Sequence, residues 1–349
     1  MRPRSMRYCG GILLAVAAAF AQQPPGGNGA VIRSTTNLVQ VRVVATDSKG
    51  NPIADLRPED FELRDNGRPQ PVTLFVANRG GAASAKAPAA GANGTVDTSP
   101  GYALILLDWV NTKYVEQLAA RDSAIKLLRR VQPRQRIALY LLGPDPGLLL
   151  DFTDDRDELI KVLEEVELEP DPPVAGRLTV EEQLFDLNRK VEDTAHAFAT
   201  VATQLAHVPG RKSLIWVTAG FPMVVNDGGV VRGARPAELV YVREIENLLA
   251  KLNTGDVAVY AIDACGLTVK ACGFVGTMEE LAGRTGGTVF ADRNDLDEGM
   301  RLALDDLSVS YTLGFHAPED APEGLHEIRL RVNRPGVLLR YRESYRLVW

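Results

Sequence analysis

The feature that most constrains this 349-residue chain is the run Ala103-Leu104-Ile105-Leu106-Leu107, which ends abruptly in Asp108. Five consecutive apolar residues without alternation fit a strand covered on both faces, as in a parallel sheet held between helices. An acid at the carboxyl end of such a strand falls on the rim where open α/β sheets place ligands and metals. Asn111 and Thr112 follow in the same loop. The question is what Asp108 is for.

Beyond Asp108, helix-like and strand-like segments alternate. A helix over about 114–131, stopped by Pro133, precedes strands at 136–142 and 148–152 and a helix at 155–166. A long helix within 180–206, a strand at 213–217, a helix at 236–252 and a strand at 257–262 follow. The series closes with helix 277–284, strand 288–290 and helix 294–307. Such alternation implies right-handed crossovers and a doubly wound, mostly parallel α/β sheet over residues 102–308.

The flanks differ. Residues 31–78 contain short alternating runs at 38–46, 61–64 and 71–76, with Asp65-Asn66-Gly67 as a hairpin signal. Residues 79–101 are rich in Gly, Ala and Pro and read as a flexible linker. In the tail, 309–349, Ile328, Leu330 and Val332 alternate with Arg329 and Arg331, and Val337–Tyr345 follows an Arg334-Pro335-Gly336 turn. Neither flank has enough strands to stand alone. The two ends are therefore expected to meet in a small antiparallel β-sandwich that carries the α/β domain as an insertion.

Composition narrows the setting. A net charge of −6 provides no general attraction to nucleic acid or an anionic membrane. Residues 1–21 combine Arg2, Arg4 and Arg7 with an apolar stretch from Gly11 to Phe20 and end in Ala19-Phe20-Ala21, a secretory signal peptide. The expected location is secreted or periplasmic, with no later transmembrane segment. In an oxidising compartment Cys265 and Cys272 are expected to form a disulfide, since a metal-binding pair would lack a nearby His.

Several motifs together resemble von Willebrand factor type A domains: the strand ending in Asp108, Pro209-Gly210-Arg211-Lys212 before the strand Ser213–Val217, Ala258-Val259-Tyr260-Ala261-Ile262-Asp263, and Thr285-Gly286-Gly287. The flanking Asp60-Phe61-Glu62-Leu63-Arg64-Asp65-Asn66-Gly67 and Arg334-Pro335-Gly336-Val337 resemble a secreted bacterial branch of that superfamily. The resemblance implies the doubly wound fold and a rim that binds a divalent cation through Asp-x-Ser-x-Ser, a second-loop Thr and a third-loop Asp. Asp108 matches the first acid, Val110 replaces the first Ser, Thr112 can replace the second, and Thr179 is the candidate second-loop Thr. Thr218-Ala219-Gly220 stands where the third-loop Asp would be.

Val110 and Ala219 contribute no ligand oxygen, so the resemblance implies a degenerate adhesion site. It needs no cofactor, and at most Asp108 and Thr112 would hold Mg²⁺ or another divalent cation weakly. The competing reading is that Asp108 and Thr112 cap their own loop. A third reading compares Asp108-Trp109-Val110-Asn111-Thr112 with the Asp-x-Asp-x-Thr of haloacid dehalogenase-like phosphotransferases, but Val110 removes the acid that would protonate a leaving group.

The expectation is a non-catalytic exported protein that recognises a protein or envelope surface ligand at a rim formed by Asp108, Asn111, Thr112, Thr179, Thr218 and Asp263. A structural envelope protein with an inert rim is the alternative. Two charge features stand apart, an acidic stretch over Asp151–Glu169 and six Arg against two Glu from His326 onward. Both read as solvated faces, the second also as a surface for an acidic partner.

Overall fold

The structure is a computed structural model that describes residues 38–79, 94–97, 100–130, 135–171, 179–208, 212–220, 236–266 and 275–347. The expected signal peptide and Cys272, and with it the Cys265–Cys272 pairing, lie outside those residues. Among the described residues no helix is long and apolar enough to cross a membrane.

The first strands are β1 (Leu38–Thr46), β2 (Phe61–Asp65), β3 (Arg68–Gln70), β4 (Leu74–Asn78) and β5 (Gly94–Asp97). The α/β portion runs β6 (Tyr102–Asp108), α1 (Tyr114–Arg130), β7 (Arg136–Leu142), β8 (Gly147–Thr153), α2 (Arg156–Glu165), α3 (Val180–Ala206), β9 (Lys212–Thr218), α4 (Pro236–Thr254), β10 (Val257–Asp263), α5 (Val275–Thr285), β11 (Thr288–Phe290) and α6 (Leu296–Ser308). The chain then returns through β12 (Ser310–His316), β13 (Gly324–Val332), β14 (Leu338–Tyr341) and β15 (Ser344–Leu347).

The α/β sheet has the order β11-β10-β9-β6-β7-β8, parallel except for the antiparallel edge pair β7/β8. This is the doubly wound, mostly parallel fold that the resemblance implies. Its side chains alternate between two cores, as the period of two in a strand requires. Ala103, Ile105 and Leu107 face the layer of α1, α2 and α6, whereas Leu104 and Leu106 face the layer of α3, α4 and α5. Leu104, Ile105, Leu106 and Leu107 are each 0–1% exposed. Their burial is worth on the order of 6–12 kcal/mol before conformational entropy is counted. An uninterrupted apolar run is what a strand between two cores demands.

Both chain ends build the second body. One sheet has the order β14-β1-β12-β4-β5 and the other β15-β13-β2-β3, so each mixes N- and C-terminal strands. Their inner faces share one core in which Tyr311 packs against Phe61 (5.6 Å between ring centroids) and Phe75 (5.7 Å). The alternation of β13 is as the sequence indicates, with Ile328 and Leu330 buried and Arg329 and Arg331 exposed.

Three local expectations change. The hairpin at Asn66-Gly67 pairs β2 with β3 rather than with 71–76, and β4 belongs to the other sheet. The segment 337–345 divides into β14, paired with β1, and β15, paired with β13. Within the stretch read as linker, β5 pairs in parallel with β4. The central strand β12 alternates Tyr311, Leu313 and Phe315, which enter the sandwich core, with Ser310, Thr312 and Gly314, and it pairs with β1 and β4 on either side.

Candidate functional site

The rim lies at the carboxyl ends of β6, β9 and β10. Asp108 is 0% exposed. Its Oδ1 accepts hydrogen bonds from the Asn111 backbone N–H (3.0 Å) and Asn111 Nδ2 (3.1 Å). Its Oδ2 accepts from Asn111 Nδ2 (2.9 Å), Trp216 Nε1 (3.0 Å) and Thr218 Oγ1 (2.8 Å). Burial raises the Asp108 carboxyl above its ordinary value, and the bonds from Asn111, Thr218 and Trp216 oppose that shift.

This geometry is that of an acid capping its own loop. A hard divalent cation needs lone pairs directed at it, and here N–H and O–H hydrogens converge on both oxygens of the one first-position acid. Among the described residues no three His, Cys, Asp or Glu side chains cluster to hold a metal. The residues present do not fit a divalent cation. A nucleophilic carboxylate must also be reachable, and Asp108 is sealed beneath its own loop.

The remaining residues divide into those gathered around Asp108 and those apart from it. Thr112 is buried, and its Oγ1 accepts from the Ala219 backbone N–H at 3.1 Å. Thr218 both donates to Asp108 and accepts from Gly220 N–H at 3.2 Å. Asp263 ends β10 opposite Thr218, and its carboxylate accepts from Cys265 N–H at 3.0 Å. Burial raises its carboxyl, and the nearby Asp292 adds to that. Thr112 and Thr218 thus tie the end of β6 to the end of β9, whereas Asp263 is bonded within its own segment.

Thr179 is elsewhere. It is the exposed N-cap of α3, in a reciprocal capping box with Glu182. The helix residue that reaches the Asp108 cluster is Thr194, whose Oγ1 accepts from Asn111 Nδ2 at 2.8 Å. Fifteen residues of helix put Thr179 about 22 Å from it, which takes Thr179 out of the site.

Three side chains absent from the sequence reading hold the rim together. Trp216 lies two residues before Thr218, so the strand period places both on the same face; that signal was available. Phe198 of α3 packs edge-on against Trp216, 4.9 Å between centroids at 87°. Thr194 is the second. Gln117, 1% exposed, is the third: it donates to the Thr112 carbonyl (2.7 Å) and accepts from Glu169 N–H (2.8 Å). It ties the Asp108 loop to the segment after α2. Nothing in the sequence distance of 52 residues marks that tie.

Above this floor lies a cleft of about 740 Å³ between the β6–α1 loop, the β7–β8 connection, residues 169–171 and α3. Asn111, Lys113, Pro146, Asp171, Asp186 and His196 are among its walls. Arg189 bridges Asp186 (2.7 Å) and Asp193 (3.3 Å), and Lys190 bridges Asp186 (3.1 Å), along the α3 wall. Asn111 Oδ1 is buried without a hydrogen-bond partner, because the amide nitrogen is the end that Asp108 and Thr194 require. Asp108 thus positions the residue that lines the cleft and does not line it itself.

No family model matches the chain, and no curated protein matches its sequence. Among solved structures it is similar to an aerotolerance-related membrane protein from Bacteroides fragilis (12% identity over 60% of this chain and 98% of that one, TM-score 0.37). A von Willebrand factor type A protein from Catenulispora acidiphila is similar over 82% of this chain and 72% of that one (10% identity, TM-score 0.36). BatB from Bacteroides thetaiotaomicron is similar over 60% and 99% (13% identity, TM-score 0.32). At that level nothing of those proteins' roles carries over.

Proposed function

We propose that this chain is an exported, non-catalytic recognition protein that binds a protein partner, without a metal ion, at the cleft above Asp108. One observation carries the proposal. Of the seven large apolar side chains left exposed among the described residues, Tyr114, Val115, Leu148 and Phe185 lie within two residues of the cleft lining. Phe185 is 72% exposed and Val115 69%. Apolar side chains gathered around a concave rim mark an interaction surface, whereas single scattered ones do not. The ion pairs of Arg189 and Lys190 along α3 supply the polar border that such interfaces have.

The sealed Asp108 favours recognition over chemistry, because the acid is used to fix the loop. A pinned floor limits the ordering cost of binding.

A photo-reactive amino acid placed at Phe185, at Val115 and, as a control on the sandwich, at Leu325 tests the proposal in the producing cell. Discrete cross-linked products at the first two positions and none at Leu325 are expected. Equal products at all three positions, or none at any, would leave the rim inert and favour a purely structural role.

A further inference from the structure

The acidic stretch Asp151–Glu169, which the sequence presents as a solvated face, ends beside the cleft. After α2 the chain continues through residues 166–171, and the Glu167 carbonyl accepts from Trp109 Nε1 at 3.0 Å. That bond holds the segment against the β6–α1 loop, and Glu169 lines the cleft. Asp145, between the lining residues Pro144 and Pro146, is exposed on the β7–β8 connection. Glu181 is exposed on α3, four residues before Phe185, so the two share a helix face. Four carboxylates thus stand around the same rim as the exposed apolar side chains.

The nearby bases do not offset them. Arg189 and Lys190 are already engaged by Asp186 and Asp193, two charges against two. Lys113 lines the cleft and is exposed. Among the described residues Asp145, Glu167, Glu169, Glu181 and Lys113 take part in no ion pair. The rim therefore offers four uncommitted negative charges and one positive. Exposed charges are screened beyond about 8 Å at physiological salt, so this excess acts on a partner at the border of the apolar contact. There it favours cationic groups and penalises carboxylates.

We propose that the occupant of the cleft is a basic segment of the protein partner. Its apolar anchor meets Phe185 and Val115, and flanking Lys or Arg side chains face Asp145, Glu167, Glu169 and Glu181. The inference rests on the reading of the cleft as a protein-binding site and adds the charge of what binds there. An acidic segment would find only Lys113 uncommitted and would have to break the α3 ion pairs to gain more.

The photo-reactive residue at Val115, combined in the producing cell with two charge variants of the rim, tests this. One carries Asp145→Asn, Glu167→Gln, Glu169→Gln and Glu181→Gln; the other carries Asp145→Lys, Glu167→Lys, Glu169→Lys and Glu181→Lys. None of the four side chains is buried, so the melting temperature should hold. The cross-linked yield should fall from the unaltered rim to the neutral one and again to the reversed one, about tenfold across the series. Mass spectrometry of the product from the unaltered rim should find Lys and Arg in excess of acids in the captured peptide. Yields indifferent to charge, an equal loss in both variants, or a captured peptide of net negative charge would overturn the proposal and leave the cleft a binding site. Absence of any product at Val115 with all four acids intact would overturn the underlying reading of the cleft, and this inference with it.

Discussion

Two carboxylates are buried at strand ends in the two halves of the molecule, and they are held differently. Asp108, ending β6 in the α/β half, is bonded by the neutral donors of Asn111, Trp216 and Thr218. Asp65, ending β2 in the sandwich, is 3% exposed and lies 2.8 Å from His326 Nδ1, and Tyr345 Oη donates to it at 3.1 Å. The second His326 nitrogen faces the Pro322 carbonyl at 2.7 Å. Asp65 thus has a partner able to carry positive charge, and Asp108 has none. The comparison teaches that position on a ligand-binding rim does not make an acid a ligand. Both acids brace a loop or a sheet, Asp108 beneath a cleft and Asp65 inside a wall.

The sharpest way to break this comparison is to remove each acid. Asp108→Ala leaves its buried donors unanswered at about 1–3 kcal/mol each. A total loss above about 3 kcal/mol is expected from urea unfolding. Asp65→Ala should cost less, about 2–3 kcal/mol, because His326 keeps Pro322 and lies 3.3 Å from Tyr345 Oη. If Asp108→Ala proves nearly neutral, the carboxylate is not the brace described.

The charge difference can be read against pH. Burial raises the Asp108 carboxyl above its ordinary 3.8, so the folded protein binds that proton more tightly than the unfolded chain does. Its contribution to stability is then greatest in acid, falls as pH climbs from about 3.8 through the folded value, and levels off above it. Asp108→Asn has no such proton. Its stability profile should lack that fall, whatever its absolute level; an unchanged profile would place the titration elsewhere.

Smaller effects separate bracing from capping and binding. Thr179→Ala should cost about 1 kcal/mol, the value of a helix cap, and leave the indole NMR signal of Trp216 beside Asp108 unmoved. Phe185→Ser should change stability by less than about 0.5 kcal/mol, as exposed substitutions do. It should nevertheless abolish the cross-links formed at Val115.

The α/β half was legible because its strands are buried on both faces and its helices are long; β7 and β11 fall on the expected residues. Asp108, Asn111, Thr112 and Thr218 were found because strand ends define a rim. Thr194 and Gln117 were missed because their role depends on which turn of a helix passes the loop, and a 27-residue helix offers many turns. Thr179 was misplaced for the same reason. In the sandwich the existence of strands was legible, but their partners were not. Consecutive strands such as β3 and β4, or β14 and β15, go to opposite sheets, and a period of two carries no record of which sheet a strand joins.

The pairing of β1 has a consequence in time. Its neighbours are β12, where Val43 lies opposite Tyr311, and β14, where Val43 lies opposite Tyr341. Until those residues have been synthesised, β1 has no neighbouring strand, whereas every strand of the α/β sheet is complete by Phe290. Closing a loop of that length costs little more entropy than closing a shorter one, but such long-range pairing is slow and leaves an open strand edge meanwhile. The half that carries the cleft can assemble while the chain is still growing. The half that supports it must wait for the last strands to arrive.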